Sequence, residues 1–170
     1  MKTAAIIIGL LLLTAAACKK STTPLVQGWR KGSESYKAYT VTRDTARQLL
    51  RGWYDSNYDP VTKSIIVRPT GESAEFVILF QRLPAKDGVY KVVTTPLDTG
   101  EVHVYVTGSK VTTAGAGANS SWHTATGNGG VYIQVKVTDG KIAAVVPETM
   151  AKNMLAANDS LTISASLDED

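Results

Sequence analysis

Alternation of hydrophobic and polar residues with a period of two dominates the chain from about residue 33 onward. In Glu101–Thr107 the valines fall on one side and the polar residues on the other, and Val131–Thr138 and Ser160–Leu167 repeat the pattern. This alternation is typical of strands with one buried and one solvated face. Turn residues separate the runs, and Asp139-Gly140 is a common hairpin turn sequence. The sequence therefore predicts an all-β domain, an antiparallel β-sandwich or, alternatively, a barrel-like fold.

Two segments depart from this alternation. In Glu75–Gln81 the residues on both sides are apolar, which predicts a central strand that is covered on both faces. Thr113–Ser121 is rich in glycine, alanine and serine and predicts a flexible loop.

Helical spacing occurs once, between Asp44 and Trp53. The apolar residues of this segment recur every three or four positions: Ala46, Leu49, Leu50 and Trp53. We therefore predict one short amphipathic helix near residues 44–52, begun by a capping Thr42 or Asp44. The outer side of this helix would carry a basic stripe of Arg43, Arg47 and Arg51. Such a stripe binds anionic lipid or an acidic partner, or it is simply the solvated face of the helix.

The first eighteen residues, MKTAAIIIGLLLLTAAAC, have the layout of a secretory signal peptide. Lys2 precedes the apolar run Ala4–Leu13, which is too short to span a bilayer, and small residues follow up to Cys18. This segment resembles the lipobox of bacterial lipoproteins, although Ala15 stands where that family prefers leucine. Ala15-x-Ala17 also satisfies an ordinary cleavage site, which would leave a soluble protein with a free thiol.

The resemblance implies a signal peptide at residues 1–17 and lipidation of Cys18 by diacylglycerol and a fatty acid such as palmitate. It also implies a lipid anchor in the outer membrane, because Lys19 stands where an inner-membrane lipoprotein carries aspartate. The anchor is expected to face the periplasm, because Lys19 and Lys20 lack the acidic character that marks surface export. Residues 18–32 are then the lipidated cysteine and a flexible tether, and residues 33–170 a single domain. The domain is similar in layout to small all-β lipoproteins of unknown function, a likeness that transfers no active site.

Composition and charge narrow the possible functions further. The chain has 170 residues, 44% of them hydrophobic, and a net charge of +3, which suits one ordinary globular domain. A single cysteine excludes a disulfide framework and the cysteine-rich metal modules, and we predict neither a metal nor a cofactor. The basic excess is too small to predict a nucleic-acid partner. The predicted partners are the membrane, through the lipid, and an envelope protein or a glycan.

The segment WYDSNYD provides the strongest indication of binding. Its candidate binding residues are Trp53, Tyr54, Asp55, Asn57 and Tyr58. Aromatic rings beside amide and carboxylate groups suit sugars, and they suit protein interfaces as well. Alternatively, Trp53 belongs to the core and the other residues form a polar loop. Asp55, Asn57 and Asp59 are spaced as in a calcium loop, but the required glycine and glutamate are missing; this excludes an EF-hand and leaves a looser calcium site open.

The two histidines, His103 and His123, are the candidates for catalysis. A hydrolase would need both to converge with a carboxylate such as Glu101, and nothing in their spacing requires this. The chain has no GxSxG motif, and we find no base near Ser73, Ser120 or Ser121 in the sequence. We therefore assign no catalytic residue and predict a membrane-anchored, non-enzymatic binding module for a protein, glycan or lipid headgroup. A periplasmic hydrolase using His103, His123 and a carboxylate, or a purely structural envelope component, are the alternatives.

Overall fold

The computed structural model describes residues 27–66, 68, 70–96, 98–112, 115–125, 130–156 and 158–170. The predicted signal peptide and Cys18 lie outside these residues. Within the described ranges the regular structure consists of β-strands, and no helix there is long and apolar enough to cross a membrane. The strands are β1 (Gly28–Lys31), β2 (Glu34–Lys37), β3 (Thr40–Asp44), β4 (Leu49–Asp55), β5 (Tyr58–Asp59), β6 (Ser64–Ile65), β7 (Gly71–Phe80), β8 (Gly88–Val92), β9 (Glu101–Thr112), β10 (Gly115–Thr124), β11 (Tyr132–Thr138), β12 (Lys141–Asn153) and β13 (Ser160–Asp168).

Eleven of these strands form one sheet in the order β2-β1-β13-β12-β11-β8-β9-β7-β4-β3, and β10 pairs with both β12 and β9. The strands β12, β11, β8, β9 and β10 therefore close into a small barrel, with three further strands extending from each of β12 and β9. Most pairs are antiparallel, and β8 pairs with β9 in parallel. The all-β prediction is confirmed, and both sandwich and barrel-like descriptions are compatible with this arrangement.

The two extensions of the barrel pack against each other. We call β13-β1-β2 the terminal arm and β7-β4-β3 the central arm. Trp29 of the terminal arm stacks on Tyr36 with ring centroids 5.5 Å apart and contacts Phe76 of the central arm at 6.2 Å. These side chains belong to one continuous hydrophobic core that also fills the barrel. The core therefore joins both arms to the barrel as one unit.

The predicted helix near residues 44–52 is wrong, because this segment is the β3–β4 hairpin. The Asp44 carboxylate accepts hydrogen bonds from the amides of Ala46 and Arg47, as a helix cap would, but the chain makes only one turn. Gln48 then adopts a left-handed conformation with φ 57°, which ends the turn. The Gln48 carbonyl accepts a hydrogen bond from the Phe80 amide, so the turn is fixed to the end of β7.

Other predictions are confirmed or corrected by the strand positions. Glu75–Gln81 is confirmed as a central strand, since β7 lies between β4 and β9 and both Val77 and Ile78 are buried. Part of the predicted tether, residues 28–31, instead forms β1, where Trp29 is buried in the core. The predicted loop over Thr113–Ser121 is also incorrect, because β10 occupies Gly115–Thr124 and pairs with β9. This strand brings His123 into the sheet.

Candidate functional site

Polar side chains cover the outer face of the strands β4, β7, β9 and β10. Residues directly opposite each other on paired strands lie on the same face of a sheet. The strand register aligns one row across the four strands: Trp53, Glu75, Thr107 and Ser121. A parallel row two positions further along consists of Asp55, Ser73, Ser109 and Asn119. These residues are far apart in the sequence, and the pairing of the strands brings them together.

These rows line a groove of about 410 Å³. One wall is Trp53, another is Leu155 from the connection between β12 and β13, and the floor carries hydroxyl and amide groups. Glu75 is the one ionisable side chain among the described lining residues, and it is paired with Arg51 at 3.4 Å. The groove therefore carries little net charge and combines apolar walls with uncharged polar groups.

Trp53 is held by other aromatic rings. Tyr58 meets it edge to face at 5.3 Å between ring centroids, and Tyr39 lies 6.4 Å from it. Tyr54, the next residue of the strand, faces the arm interface and contacts Tyr36 at 5.2 Å. The structure thus places Trp53 in the groove, Tyr58 behind it as support, and Tyr54 away from it.

Asp55 and Asn57 line a second depression of about 140 Å³ that shares Ser73 and Ser109 with the groove. Asp55 accepts a hydrogen bond from the Asn57 amide, which forms a local turn. Asp59 accepts from the Val61 amide and from the Thr62 hydroxyl. Over the residues that the structure describes, no group of three or more His, Cys, Asp or Glu side chains is placed to hold a metal ion.

The three arginines of the predicted stripe are separated, so that prediction is wrong. Arg43 and Arg51 lie on opposite faces of the β3–β4 hairpin, because alternate residues of a strand point to opposite sides. Arg43 forms an ion pair with Glu169 at 3.2 Å, while Arg47 lies in the exposed turn. Of the three, Arg51 is the one adjacent to the groove, through Glu75.

The two histidines are in direct contact. His103 on β9 is 8% exposed, and its Nε2 atom lies 2.9 Å from Nδ1 of His123 on β10. His123 Nε2 lies 2.8 Å from the Ser121 hydroxyl, which faces the groove. His103 Nδ1 lies 3.1 Å from the Val93 carbonyl oxygen and 3.1 Å from Thr124 Oγ1. The two histidines therefore converge with a serine hydroxyl at one end and with a backbone carbonyl and a threonine hydroxyl at the other.

The donors and acceptors available fix the direction of the hydrogen bonds that link Ser121, His123, His103 and the Val93 carbonyl. The Val93 carbonyl accepts only, so the His103 Nδ1 atom carries a proton and donates it. In neutral His103 the Nε2 atom is then an acceptor, and His123 Nδ1–H donates to it. His123 Nε2 is left unprotonated and accepts from the Ser121 hydroxyl. The series of hydrogen bonds thus runs from the serine hydroxyl to the backbone carbonyl through two neutral imidazoles.

The surroundings keep both imidazoles neutral. Burial lowers the pKa of His103 below its ordinary value of 6.5, against the opposing effect of the Val93 hydrogen bond. Burial also lowers the pKa of His123, and the nearby His103 lowers it further. The Tyr105 ring stacks on His123 at 5.0 Å with an interplanar angle of 9°. Two imidazoles in hydrogen-bond contact are therefore unprotonated at neutral pH.

The sequence alone does not identify Ser121 as a partner of His123. Ser121 and His123 form the sequence S-x-H. This spacing places both side chains on one face of a strand, so it identifies the pair only once the segment is known to be a strand. No family model, curated protein or solved structure matches this chain.

Proposed function

We propose that the chain is a lipid-anchored module of the cell envelope whose groove binds an uncharged glycan. The observation that supports the ligand class is Trp53, which forms a wall beside rows of hydroxyl and amide groups. A sugar ring has apolar C–H faces and a rim of hydroxyls. An indole stacks on the former, while serine, threonine and asparagine hydrogen-bond the latter.

The charge of the groove supports an uncharged ligand. The ion pair with Arg51 neutralises Glu75, so neither an anionic nor a cationic ligand gains a net Coulombic attraction from this pair. Asn119 and Ser109, which supply donors and acceptors without charge, line the same groove.

The support behind Trp53 favours binding as well. A ring that is already held by Tyr58 and Tyr39 loses little conformational freedom when a ligand stacks on it. This preorganisation distinguishes Trp53 from Tyr132, an aromatic side chain that is 51% exposed on β11.

The binding experiment uses isothermal titration with three neutral oligosaccharides: maltohexaose, cellohexaose and chitohexaose. We expect binding of at least one of them, and we expect Trp53→Ala to weaken it about tenfold, the equivalent of about 1.4 kcal/mol. Tyr132→Ala is the matched aromatic control and should bind like the wild type. Failure of all three oligosaccharides to bind, or equal affinity of Trp53→Ala and wild type, would refute the glycan proposal.

The anchor is tested separately by intact mass and membrane fractionation of the full chain. Because of the lipobox resemblance, we expect two or three acyl chains on the wild type. Both the added mass and the membrane association should be lost in Cys18→Ser. An unmodified chain that begins at Cys18 in the soluble fraction would refute the anchor and leave the groove proposal standing.

A further inference from the structure

We infer that Ser121 is an activated nucleophile and that the chain hydrolyses carboxylic esters, with His123 as general base and His103 as the residue that positions it. This activity goes beyond glycan binding and does not depend on it. The inference rests on the continuous contacts from the Ser121 hydroxyl to His123, His103 and the Val93 carbonyl.

The order of these contacts matches what nucleophilic catalysis by serine requires. A serine hydroxyl is a weak nucleophile unless an adjacent base removes its proton, and the base needs a third group to fix its tautomer. Here His123 Nε2 accepts from the serine, and His103 Nε2 accepts from His123 Nδ1–H. His103 is in turn fixed by the backbone carbonyl of Val93, so the base has one tautomer.

The third residue of the series, His103, is neutral, and this determines the catalytic rate that we expect. In serine proteases a buried carboxylate stabilises the imidazolium that forms when the base takes the proton. His103 supplies the acceptor and the orientation without the negative charge. The nearby carboxylates are engaged with other groups: Glu75 pairs with Arg51 across Tyr105, and Glu101, two residues before His103 on β9, accepts from the Asp98 amide. Lys152, opposite His123 on β12, is a cation. We therefore expect slow turnover.

The groove side of Ser121 offers donors for the charge that develops on the substrate oxygen. Thr107 lies directly opposite Ser121 on β9, and Asn119 precedes it by two residues on the same face. Both side chains line the groove, and their hydroxyl and amide groups can donate to an oxyanion. The Met154 amide donates to the Ser121 carbonyl at 2.9 Å and so holds the backbone of the nucleophile in place.

The reaction uses these positions in order. Ser121 Oγ bonds to the ester carbonyl carbon while its proton passes to His123 Nε2. The bond between that carbon and the alcohol oxygen breaks, and the departing alkoxide takes the proton from His123. Water then attacks the carbonyl carbon of the acyl-serine while one of its protons passes to His123 Nε2. The bond between that carbon and Ser121 Oγ breaks, Oγ takes the proton from His123, and a carboxylic acid is released.

The first experiment treats the full chain with a fluorophosphonate, which reacts covalently with activated serines, and locates the adduct by mass spectrometry. We expect one adduct on Ser121, its loss in Ser121→Ala, and a rate about 10²–10⁴-fold lower in His123→Gln. Ser35→Ala is the matched control and should be labelled like the wild type, because Ser35 is an exposed serine on β2, outside the groove. An unlabelled wild type, or the same labelling in Ser121→Ala, would overturn the inference.

The second experiment measures hydrolysis of p-nitrophenyl acetate by the same variants, after thermal unfolding has shown that each is folded. Loss of turnover in both Ser121→Ala and His123→Gln supports the inference. Turnover that survives in Ser121→Ala and disappears in His123→Gln would make the imidazole the nucleophile and overturn the assignment of the serine. Labelling and turnover in a wild type that binds none of the three oligosaccharides would refute the glycan proposal alone, and oligosaccharide binding without labelling would refute the esterase alone, so the two failures are told apart.

The positioning role of His103 has its own test. His103→Met removes the acceptor for His123 Nδ1–H and should lose most of the labelling rate, whereas His103→Gln offers an amide oxygen in its place and should restore part of it. Equal labelling rates in wild type and a folded His103→Met would overturn this role.

Discussion

Gly52 of the central arm lies against Leu167 and Trp29 of the terminal arm, and its replacement by alanine tests the packing of the two arms. A Cβ atom there would lie 2.7 Å from Leu167 Cδ2 and 3.3 Å from Trp29 Cζ3. Both neighbours are only 1% exposed, so neither can move aside into solvent. The added methyl group must therefore displace buried side chains of the terminal arm.

The size of the effect is the balance of two opposing contributions. Overpacking a filled core costs about 1–3 kcal/mol. Replacing glycine by alanine at a compatible backbone angle stabilises by about 0.4–1 kcal/mol, because the unfolded chain loses freedom. At the midpoints of these two ranges the balance is a loss of about 1.3 kcal/mol in the free energy of unfolding, or about 0.7 M in the urea midpoint at a typical slope of about 2 kcal/mol/M.

Urea unfolding followed by tryptophan fluorescence measures this shift. Gly100→Ala is the matched control, since a Cβ atom there meets nothing within 4 Å, and it should be slightly stabilising. Leu167→Val should cost less in the Gly52→Ala background than in the wild type, because the smaller side chain makes room for the methyl group. A Gly52→Ala protein as stable as Gly100→Ala would refute the packing of the arms.

Two further predictions concern buried polar groups. Tyr36→Phe should lower the free energy of unfolding by about 1–3 kcal/mol, because the phenol hydroxyl lies 2.8 Å from carboxylates of both Glu34 and Glu72; an unchanged urea midpoint would contradict this. Stability should also fall as the pH drops below 6.5, because His103 and His123 have lowered pKa values and the unfolded chain takes up protons that the folded chain does not. The slope of stability against pH should be smaller in His103→Met, and equal slopes would argue against neutral buried histidines.

The fold class can be predicted from the sequence because the alternation of side chains is a local property. Runs such as Val131–Thr138 and Ser160–Leu167 carry their own strand signal, and β11 and β13 form there. The β3–β4 hairpin has the sequence signature of a helix because Asp44 caps a single turn as it would cap a helix, and Leu49 and Leu50 fit both periods. The left-handed conformation of Gln48 separates this tight turn from the first turn of a helix, and no residue pattern announces it.

The candidate site depends on information that the local sequence does not carry. Gly115–Thr124 begins with glycine and alanine, which have low β propensity, so its composition does not predict a strand that would place Ser121 and His123 on one face. The contact of His123 with His103 requires the register of β10 on β9, which tertiary pairing sets. Trp53 is identifiable from composition, although its neighbours in the groove come from three other strands.

Pairing of β1 with β13 ties the timing of folding to the end of the chain. The Gln27 side chain donates to the carbonyl of Asp168, 141 residues away, and Trp29 fills the core from the strand beside it. While β13 has not yet emerged from the ribosome, β1 lacks this partner and one edge of β12 stays open. Contacts of such long range also slow folding, since their loop-closure entropy is lost before their packing is gained. Until β13 is synthesised, the growing polypeptide therefore exposes open strand edges, which favour association with other copies of the chain.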